Sequence, residues 1–214
     1  MKDGIDEIIK ILKKQHNQKN LAINQISQRN PFFVLISCLL SLRTKDEVTK
    51  EASLRLFSLA KTPAEMLKLE TRQIEMAIYP VGFYKRKAAQ IKQICKELVE
   101  KHNSKVPDRI DELLKFKGVG RKTANIVLTV GYSKLGIAVD THVHRISNRI
   151  GLVSTRHPDE TELELKKKLP KKYWIVFNEL LVLHGKNICV PISPKCSVCP
   201  IHKYCDRVGV IRSR

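Results

Sequence analysis

The chain has 214 residues with 43% hydrophobic side chains, and 40 Lys and Arg residues stand against 21 Asp and Glu residues. This composition excludes an intrinsically disordered chain. The formal net charge of +19 favours nucleic acid as a partner over a protein that is merely basic. No apolar run is long enough to span a bilayer, so we expect a soluble, intracellular monomer with no membrane partner and no signal peptide.

Apolar periodicity and capping signals predict helix after helix, with almost no strand-like alternation. Thr62–Glu65 has the pattern of a capping box, with Thr62 as N-cap and Pro63 at the first helical position. The predicted helices cover residues 4–15, 31–42, 46–60, 63–69, 71–78, 84–102, 108–115, 120–131, 141–150, 159–168 and 172–183. The short gaps between them predict a compact all-α fold.

The most informative segment is residues 116–124, Phe-Lys-Gly-Val-Gly-Arg-Lys-Thr-Ala, which forms a hairpin between two predicted helices. Gly118 and Gly120 allow a tight turn that brings backbone N–H groups close to an anion. Lys122 follows in the first turn of the second helix, where the positive helix end favours a neutral, nucleophilic amine. The alternative interpretation is a common glycine turn followed by a solvated lysine.

An isolated aspartate, Asp140, follows Lys122 after eighteen positions, within the sequence Val-Asp-Thr-His at residues 139–142. A carboxylate there can supply negative charge or accept a proton. The hairpin, the lysine and the aspartate together indicate covalent amine chemistry beside a phosphate backbone.

The six cysteines divide into two groups. Cys38 and Cys95 lie alone in apolar helical patterns and are predicted to be core residues. The other four are spaced Cys-x6-Cys-x2-Cys-x5-Cys near the end of the sequence, which predicts a metal site: Cys189, Cys196, Cys199 and Cys205. Both a tetrahedral zinc ion and a cubane iron–sulfur cluster accept four thiolates, with the cluster favoured and disulfides as the remaining alternative.

At this point nearly the whole chain resembles the endonuclease III family of bifunctional DNA glycosylases, within the helix-hairpin-helix glycosylase superfamily. The hairpin, the lysine, the aspartate and the cysteine spacing all match those of this family. The resemblance is carried by Pro31-Phe32, Leu39–Ser41, Thr62–Ala64, Val81–Tyr84, Leu113–Asn125, Ala138–Arg145, Leu183–Gly185 and the four cysteines.

The resemblance implies an all-α fold of two helical lobes that flank a DNA-binding groove. Residues 23–135 form a six-helix domain with the hairpin, and residues 1–22 with 136–214 form a [4Fe–4S] cluster domain on the four cysteines. The implied activity is excision of oxidised pyrimidines from duplex DNA and β-elimination at the abasic site, in base excision repair. Lys122 matches the Schiff-base lysine and Asp140 the catalytic aspartate.

The resemblance also implies the DNA contacts and a cytoplasmic, nucleoid-associated location. Arg43 is expected in the space left by the extruded base, where bacterial relatives usually carry glutamine. Lys195 is the one basic residue of the Cys189–Cys196 loop. A phosphate is expected on the hairpin residues Gly118, Val119, Gly120 and Arg121.

Two alternative functions remain open at this point. One is a mismatch-specific thymine or uracil glycosylase, against which Lys122 argues because those relatives lack a lysine there. The other is a non-catalytic DNA-binding module that combines the hairpin with a zinc knob, against which the pair of Lys122 and Asp140 argues.

Overall fold

A computed structural model describes residues 2–15 and 29–214 of the chain. The predicted all-α class is confirmed, because the described residues form helices, turns and loops and no strand. In chain order the helices are α1 Lys2–Gln15, α2 Pro31–Ser41, α3 Asp46–Leu59, α4 Pro63–Lys68, α5 Thr71–Ile78, α6 Tyr84–His102, α7 Ile110–Leu113, α8 Arg121–Ile126, α9 Thr141–Arg149, α10 Pro158–Lys168 and α11 Trp174–Asn187.

Shorter helical segments complete the chain. The π-helical turn Val127–Gly131 continues α8, and single 3₁₀ turns lie at Lys171–Tyr173, Cys196–Val198 and His202–Tyr204. The helix predicted at 108–115 is shorter, at Ile110–Leu113, and the last long helix continues to Asn187 rather than ending at 183. The predicted N-cap of α4 is present, since Thr62 Oγ1 accepts from Glu65 N at 3.2 Å. Glu65 reaches back one residue further than in a capping box, to Lys61 N at 2.7 Å.

The chain divides into two compact units. One comprises Asn20–Lys134, and the other comprises Met1–Lys19 with Leu135–Arg214. Of the two domain boundaries predicted from the sequence, the one at 22/23 lies outside the described residues. The other was placed at 135/136, one residue after the division between Lys134 and Leu135.

In the unit Asn20–Lys134, α2 is the central helix. Its sequence is apolar all round, which is typical of a helix that packs on every side. Leu35, Ile36 and Leu39 have no exposed surface, and they share a core with side chains of α3, α5, α6 and α8. The helix begins at Pro31, where Asn30 Oδ1 accepts from Phe32 N at 2.9 Å. This unit therefore carries the hairpin on a rigid apolar core.

The second unit combines residues that precede the first unit in the sequence with residues that follow it. Its core includes the apolar stripe of α1, formed by Ile5, Ile8, Ile9 and Leu12, together with α9 and α11. Cys189, Cys199 and Cys205 pack against the same core. Across residues 2–15 and 29–214, none of the helices combines the length and apolarity needed to cross a bilayer.

Shortening a side chain at the centre of α2 tests this account of the fold. We expect Leu35→Ala to lower the free energy of unfolding by roughly 2–5 kcal/mol, because it leaves a cavity in a packed core. Leu54→Ala, on the next helix, is the matched control because Leu54 is 53% exposed. It should change stability by less than about 0.5 kcal/mol in guanidinium unfolding. Equal losses for the two variants would contradict the burial described for α2.

Candidate active site and metal centre

The hairpin joins α7 to α8 through a tight turn. The first glycine of this turn, Gly118, occupies a position that only glycine fits. Gly118 has φ +80°, and a Cβ there would collide with the side-chain amide of Gln90. Gln90 Nε2 donates to Lys117 O at 2.7 Å, which fixes the turn against α6. The backbone freedom predicted for Gly118 is thus used.

Gly120 differs from Gly118 in its backbone conformation. Its φ is −94°, an ordinary extended value, so the turn does not need glycine for backbone conformation here. Among the described residues, a Cβ at 120 would meet no atom within 4 Å, so the space beside the turn is open. The small residue leaves room for a ligand to approach the backbone, and the anion predicted there stays a prediction.

The N-terminus of α8 has no side-chain cap among the described residues. The first N–H groups of a helix lack partners within the helix and usually bond to a capping side chain. Gly120, the N-cap, offers no side chain, and the first turn contains no acidic residue. The amides and the positive end of the helix dipole are therefore available to an anion.

Lys122 is half-buried in the first turn of α8. Its ammonium group lies near Cys38 of α2. Burial raises the pKa of the Cys38 thiol to about 12, and the positive charge of Lys122 partly opposes this rise. Cys38 is 3% exposed and Cys95 has no exposed surface, so both are core residues as predicted. Lys122 thus lies at the edge of the core of its unit.

Asp140 belongs to the other unit, where it is the N-cap of α9. Its Oδ1 accepts from His142 N and Val143 N, both at 2.9 Å. Within the described residues, Oδ2 takes part in no hydrogen bond. The backbone before it is buried, and Asn178 Nδ2 donates to Ala138 O at 2.8 Å. One carboxylate oxygen therefore fixes the orientation of the group and the other stays available for chemistry.

Two arginines of α9 connect this helix to the cysteine segment. Arg145 Nη2 donates to Cys189 O at 2.8 Å and contacts His142 Nδ1 at 3.1 Å. Arg149 Nη1 donates to Cys189 Sγ at 3.4 Å and to Val190 O at 2.8 Å. Sequence reasoning assigned these arginines no role. The two arginines are four residues apart, so they lie on one face of the helix. Their shared partner, Cys189, is 40 or more residues away in the sequence.

The four cysteines of the spaced motif line one small cavity of about 20 Å³. Its other walls combine aliphatic and basic residues: Ile146, Ile150, Ile188, Ile201, Val210 and Pro194 with Arg149, Lys195, Arg207, His184 and His202. None of the six cysteines is in a disulfide. Within residues 2–15 and 29–214, no three His, Cys, Asp or Glu side chains are grouped as they would be around one metal ion. The four thiols therefore share a cavity without the close grouping of metal ligands.

These surroundings act on the thiols. Burial, reinforced by the neighbouring cysteines, raises the pKa of Cys199 to about 11 and raises the pKa of Cys205 above its ordinary value. Thiolates form readily only beside positive charge or a metal. A set of four cysteines in one cavity fits a thiolate-bound metal group that supplies this charge.

Lys195 is exposed in the loop between the first two cysteines of the motif, and its backbone N–H donates to Ile188 O at 3.0 Å. The last residues of the sequence lie against the same loop. Arg214 N donates to Pro194 O at 3.0 Å, and Ser197 N donates to Arg214 O at 3.2 Å. Arg214 is therefore a second basic residue beside this loop, and its distance from the loop in the sequence gave no indication of this.

Arg43 lies in the turn between α2 and α3 with φ 54°, and its side chain is exposed. The guanidinium Cζ is 5.7 Å from the centroid of the Phe83 ring, within cation–π range. Phe83 also has a left-handed backbone, with φ 60°, and is 60% exposed. Sequence reasoning did not identify Phe83 as functional. An aromatic residue directly after Gly82 in a predicted turn was the available signal.

Residues 36–171 match the HhH-GPD superfamily of base excision DNA repair proteins. Endonuclease III of Thermotoga maritima is 46% identical over 94% of the chain and 89% of its own length. The Escherichia coli endonuclease III is 33% identical over 92% and 94%. Among solved structures, a trapped covalent intermediate of endonuclease III with DNA superposes with a TM-score of 0.78 at 32% identity, over 90% of this chain and 97% of that one. A thermostable thymine-DNA glycosylase, 24% identical with a TM-score of 0.76, shares the fold.

The cap geometry of Asp140 predicts how its variants fold. Asparagine also caps helices, so Asp140→Asn should lose only the interaction of charge with the helix dipole, about 0.3–1 kcal/mol. Asp140→Ala also loses the cap and should cost about 0.5–2 kcal/mol more. Thermal unfolding should therefore rank wild type above Asp140→Asn and Asp140→Asn above Asp140→Ala. Indistinguishable midpoints for the two variants would mean that the cap does not stabilise α9.

Proposed function

The chain belongs to the endonuclease III family of the HhH-GPD superfamily and is a DNA glycosylase and abasic-site lyase; from this premise we propose that it removes oxidised pyrimidines from duplex DNA through a Schiff base on Lys122. We further propose that it acts as a cytoplasmic, nucleoid-associated monomer.

The observation that carries the proposal is the position of Lys122. It is half-buried in the first turn of a helix whose N-terminus no side chain of the described residues caps. The related endonuclease III, 32% identical, was trapped as a covalent intermediate with DNA. A covalent intermediate requires a nucleophile, and an amine at this position is the natural candidate.

In the proposed binding step, a DNA phosphate lies on the hairpin. The Val119 N–H already donates to Phe116 O at 3.0 Å and holds the turn in shape. The open space at Gly120 lets a phosphate approach the backbone at the start of α8 closely, and the positive end of the helix dipole favours it there. Such contacts fix the register of the enzyme on the duplex without reading base sequence. Lys195 would add a phosphate contact from the other unit.

The damaged nucleotide must leave the base stack before any side chain reaches its sugar, at a cost of a few kcal/mol. We propose that Arg43 and Phe83 lower this cost by occupying the space that the base vacates. A guanidinium stacked on an exposed ring presents a flat, cationic surface against which the neighbouring bases can stack. This extends to Phe83 the role that the sequence suggested for Arg43 alone.

In the chemical step, the Lys122 amine attacks C1′ of the flipped sugar. The C1′–N bond to the base breaks, and the base leaves with the electron pair and takes up a proton. The sugar ring opens to an imine between C1′ and Lys122 Nζ. Loss of a proton from C2′ then expels the 3′ phosphate by β-elimination, and water releases the enzyme.

Asp140 assists base release in this proposal. Its Oδ1 is committed to the α9 cap, so Oδ2 is the atom that stabilises the cationic sugar or relays a proton. The same interaction that begins the helix therefore keeps the catalytic oxygen in place.

We propose that Cys189, Cys196, Cys199 and Cys205 hold a [4Fe–4S] cluster. Their spacing in the sequence and the one cavity that all four line support a thiolate-bound metal group there. With all four ligand positions filled by cysteine, the cluster would supply folding energy rather than an open site for chemistry.

Borohydride reduction of an abasic-site duplex tests the central assignment. Wild type should give a covalent adduct, and Lys122→Gln should give none while it still binds DNA, because the phosphate contacts come from backbone amides. Asp140→Asn should slow base release by roughly 10²–10⁴-fold but still trap on a preformed abasic site.

Lys115→Gln is the matched control, since Lys115 is an exposed lysine on the same hairpin, paired with Glu112 at 2.6 Å. It should trap like wild type. A Lys122→Gln adduct as strong as that of wild type would show that another amine is the nucleophile. An activity panel of duplexes with oxidised pyrimidines, T·G and U·G mismatches then separates the proposed substrate class from a mismatch glycosylase.

The cluster proposal predicts a brown protein that contains iron and acid-labile sulfide. Cys199→Ser should lose the colour and most of the soluble yield, because metal-binding energy in such a small lobe is folding energy. Cys95→Ser is a control for the loss of a thiol, since Cys95 is buried in the other unit, and it should keep the colour. A colourless wild-type protein with stoichiometric zinc would instead establish the zinc alternative.

A further inference from the structure

Lys87 is a buried lysine with no part in the proposed chemistry. It lies on α6 and is only 5% exposed. Its Nζ donates to Leu40 O at 2.8 Å, to Leu42 O at 2.6 Å and to Thr44 Oγ1 at 3.3 Å. An ammonium group has three donors, so all three are used. Burial lowers the pKa of Lys87 to about 8, and the ring of acceptors makes a protonated amine tolerable there.

The acceptors of Lys87 belong to the carboxyl-terminal end of α2. This helix ends at Ser41, and the last carbonyls of a helix lack partners within it. The negative end of the helix dipole also favours a cation at this point. Lys87 therefore fixes the path of the chain as it leaves α2 and enters the turn that carries Arg43.

The same network extends to a second turn. Thr44 Oγ1 donates to Leu42 O at 3.2 Å and accepts from Lys87 and from Gly82 N, the latter at 3.2 Å. Its one donor and two acceptor positions are thus filled. A Cβ on Gly82 would lie 2.6 Å from Arg43 O, so the two turns are in close contact. The second turn carries Phe83, the residue whose ring contacts the Arg43 guanidinium.

We propose that Lys87 is a positioning residue for lesion binding: from beneath the surface it locks the turn of Arg43 to the turn of Phe83, so that the two side chains meet DNA as one preformed unit. This inference rests on the proposed role of the Arg43–Phe83 pair. Lys87 itself is too buried to reach DNA and acts only through the two turns. Both exposed residues have left-handed backbones, which a free turn adopts rarely, so the pair needs an internal support of this kind.

The chain offers a matched control one helical turn further along α6. Lys92 Nζ donates to Leu67 O and to Leu69 O, both at 2.6 Å, at the carboxyl-terminal end of α4. It is the same residue type on the same helix with the same kind of acceptors. The segment it supports carries neither Arg43 nor Phe83. Lys92 is half-buried and Lys87 is buried, so a purely structural role predicts losses for both variants, larger for Lys87, and shared equally by duplex and single-strand substrates.

The test compares Lys87→Met with Lys92→Met, since methionine keeps most of the volume and removes the donors. Two quantities are measured for each: affinity for a duplex with a non-cleavable abasic analogue, and lyase cleavage of a single-stranded abasic oligonucleotide. We expect Lys87→Met to weaken duplex binding by roughly 10–10²-fold, as misplaced groups do. Single-strand cleavage by Lys122 should change little. Lys92→Met should leave both quantities near wild type.

A double-mutant cycle measures the coupling between Lys87 and Arg43 in duplex binding, which a general loss of stability does not change. If Lys87 acts through Arg43, Arg43→Ala should weaken duplex binding in the wild type but add little in the Lys87→Met background. Should Lys87→Met fail to fold, Thr44→Val replaces it in the same cycle, because it breaks the relay between the turns and keeps the buried lysine. Additive losses would overturn the inference, as would equal losses for Lys87→Met and Lys92→Met or losses shared equally by duplex and single strand.

The cycle also separates this inference from the proposed role of the pair. If Arg43→Ala and Phe83→Ala leave duplex binding unchanged, the role of the pair fails and the positioning role fails with it. If those two variants weaken binding but Lys87→Met and Thr44→Val do not, the pair stands and only the positioning role of Lys87 is overturned.

Discussion

The ends of the helices impose the constraint on which this structure depends. Each helix leaves N–H groups at one end and carbonyl groups at the other without partners, and an all-α chain with short turns has many such ends. The ends are satisfied in different ways. Asp140 caps α9, and two lysines of α6 bond to the last carbonyls of α2 and α4. The start of α8 lacks a side-chain cap among the described residues, as do the starts of α3, α6, α7, α10 and α11. The start of α8 differs from these in its N-cap, Gly120, which leaves the backbone open to a ligand.

The first turn of α8 has a composition that stability alone does not favour. α3 and α10 begin with acidic residues, Asp46-Glu47 and Asp159-Glu160, which suit the positive end of a helix dipole. α8 begins with Arg121 and Lys122 and has no acidic residue in its first turn. Cations at this end cost about 0.3–1 kcal/mol each when exposed. α6 also begins with basic residues, Lys85 and Arg86, and has no acidic residue in its first turn. What distinguishes α8 among the helices with a described N-cap is that this residue is a glycine, Gly120, with open space beside it.

Much of the fold and part of the site could be predicted from the sequence because the signals are local. The apolar run that forms α2, the cap at Thr62 and the four-cysteine spacing depend on residues close together in the chain. The sequence predicted a tight turn and a close approach to the backbone for the two hairpin glycines together, and the structure divides these features between them. Gly118 needs its positive φ, whereas Gly120 is ordinary in conformation and is explained by the space in front of it.

What the sequence could not predict are contacts between segments far apart in the chain. Phe83 gains its significance from Arg43, 40 residues earlier, and the two meet only because Thr44 and Gly82 bring their turns together. The exact ends of helices were also missed, since tertiary contacts decide them. The roles of Lys122 and Asp140 still rest on the resemblance and on local geometry, because they belong to different units of the chain.

The positions of the charged side chains in the second unit also depend on helix ends and on buried groups. Burial raises the pKa of Cys199 to about 11, so its thiolate form needs positive charge nearby, which the proposed metal group would supply. The side chain of Arg149 already donates to Cys189 Sγ, and Arg145 holds the carbonyl of the same residue. Both arginines come from α9, the helix that Asp140 caps. The residues that begin this helix therefore serve the sugar chemistry in our proposal, and the residues near its end serve the cysteine cavity, so one short helix of nine residues orders both functions of its unit.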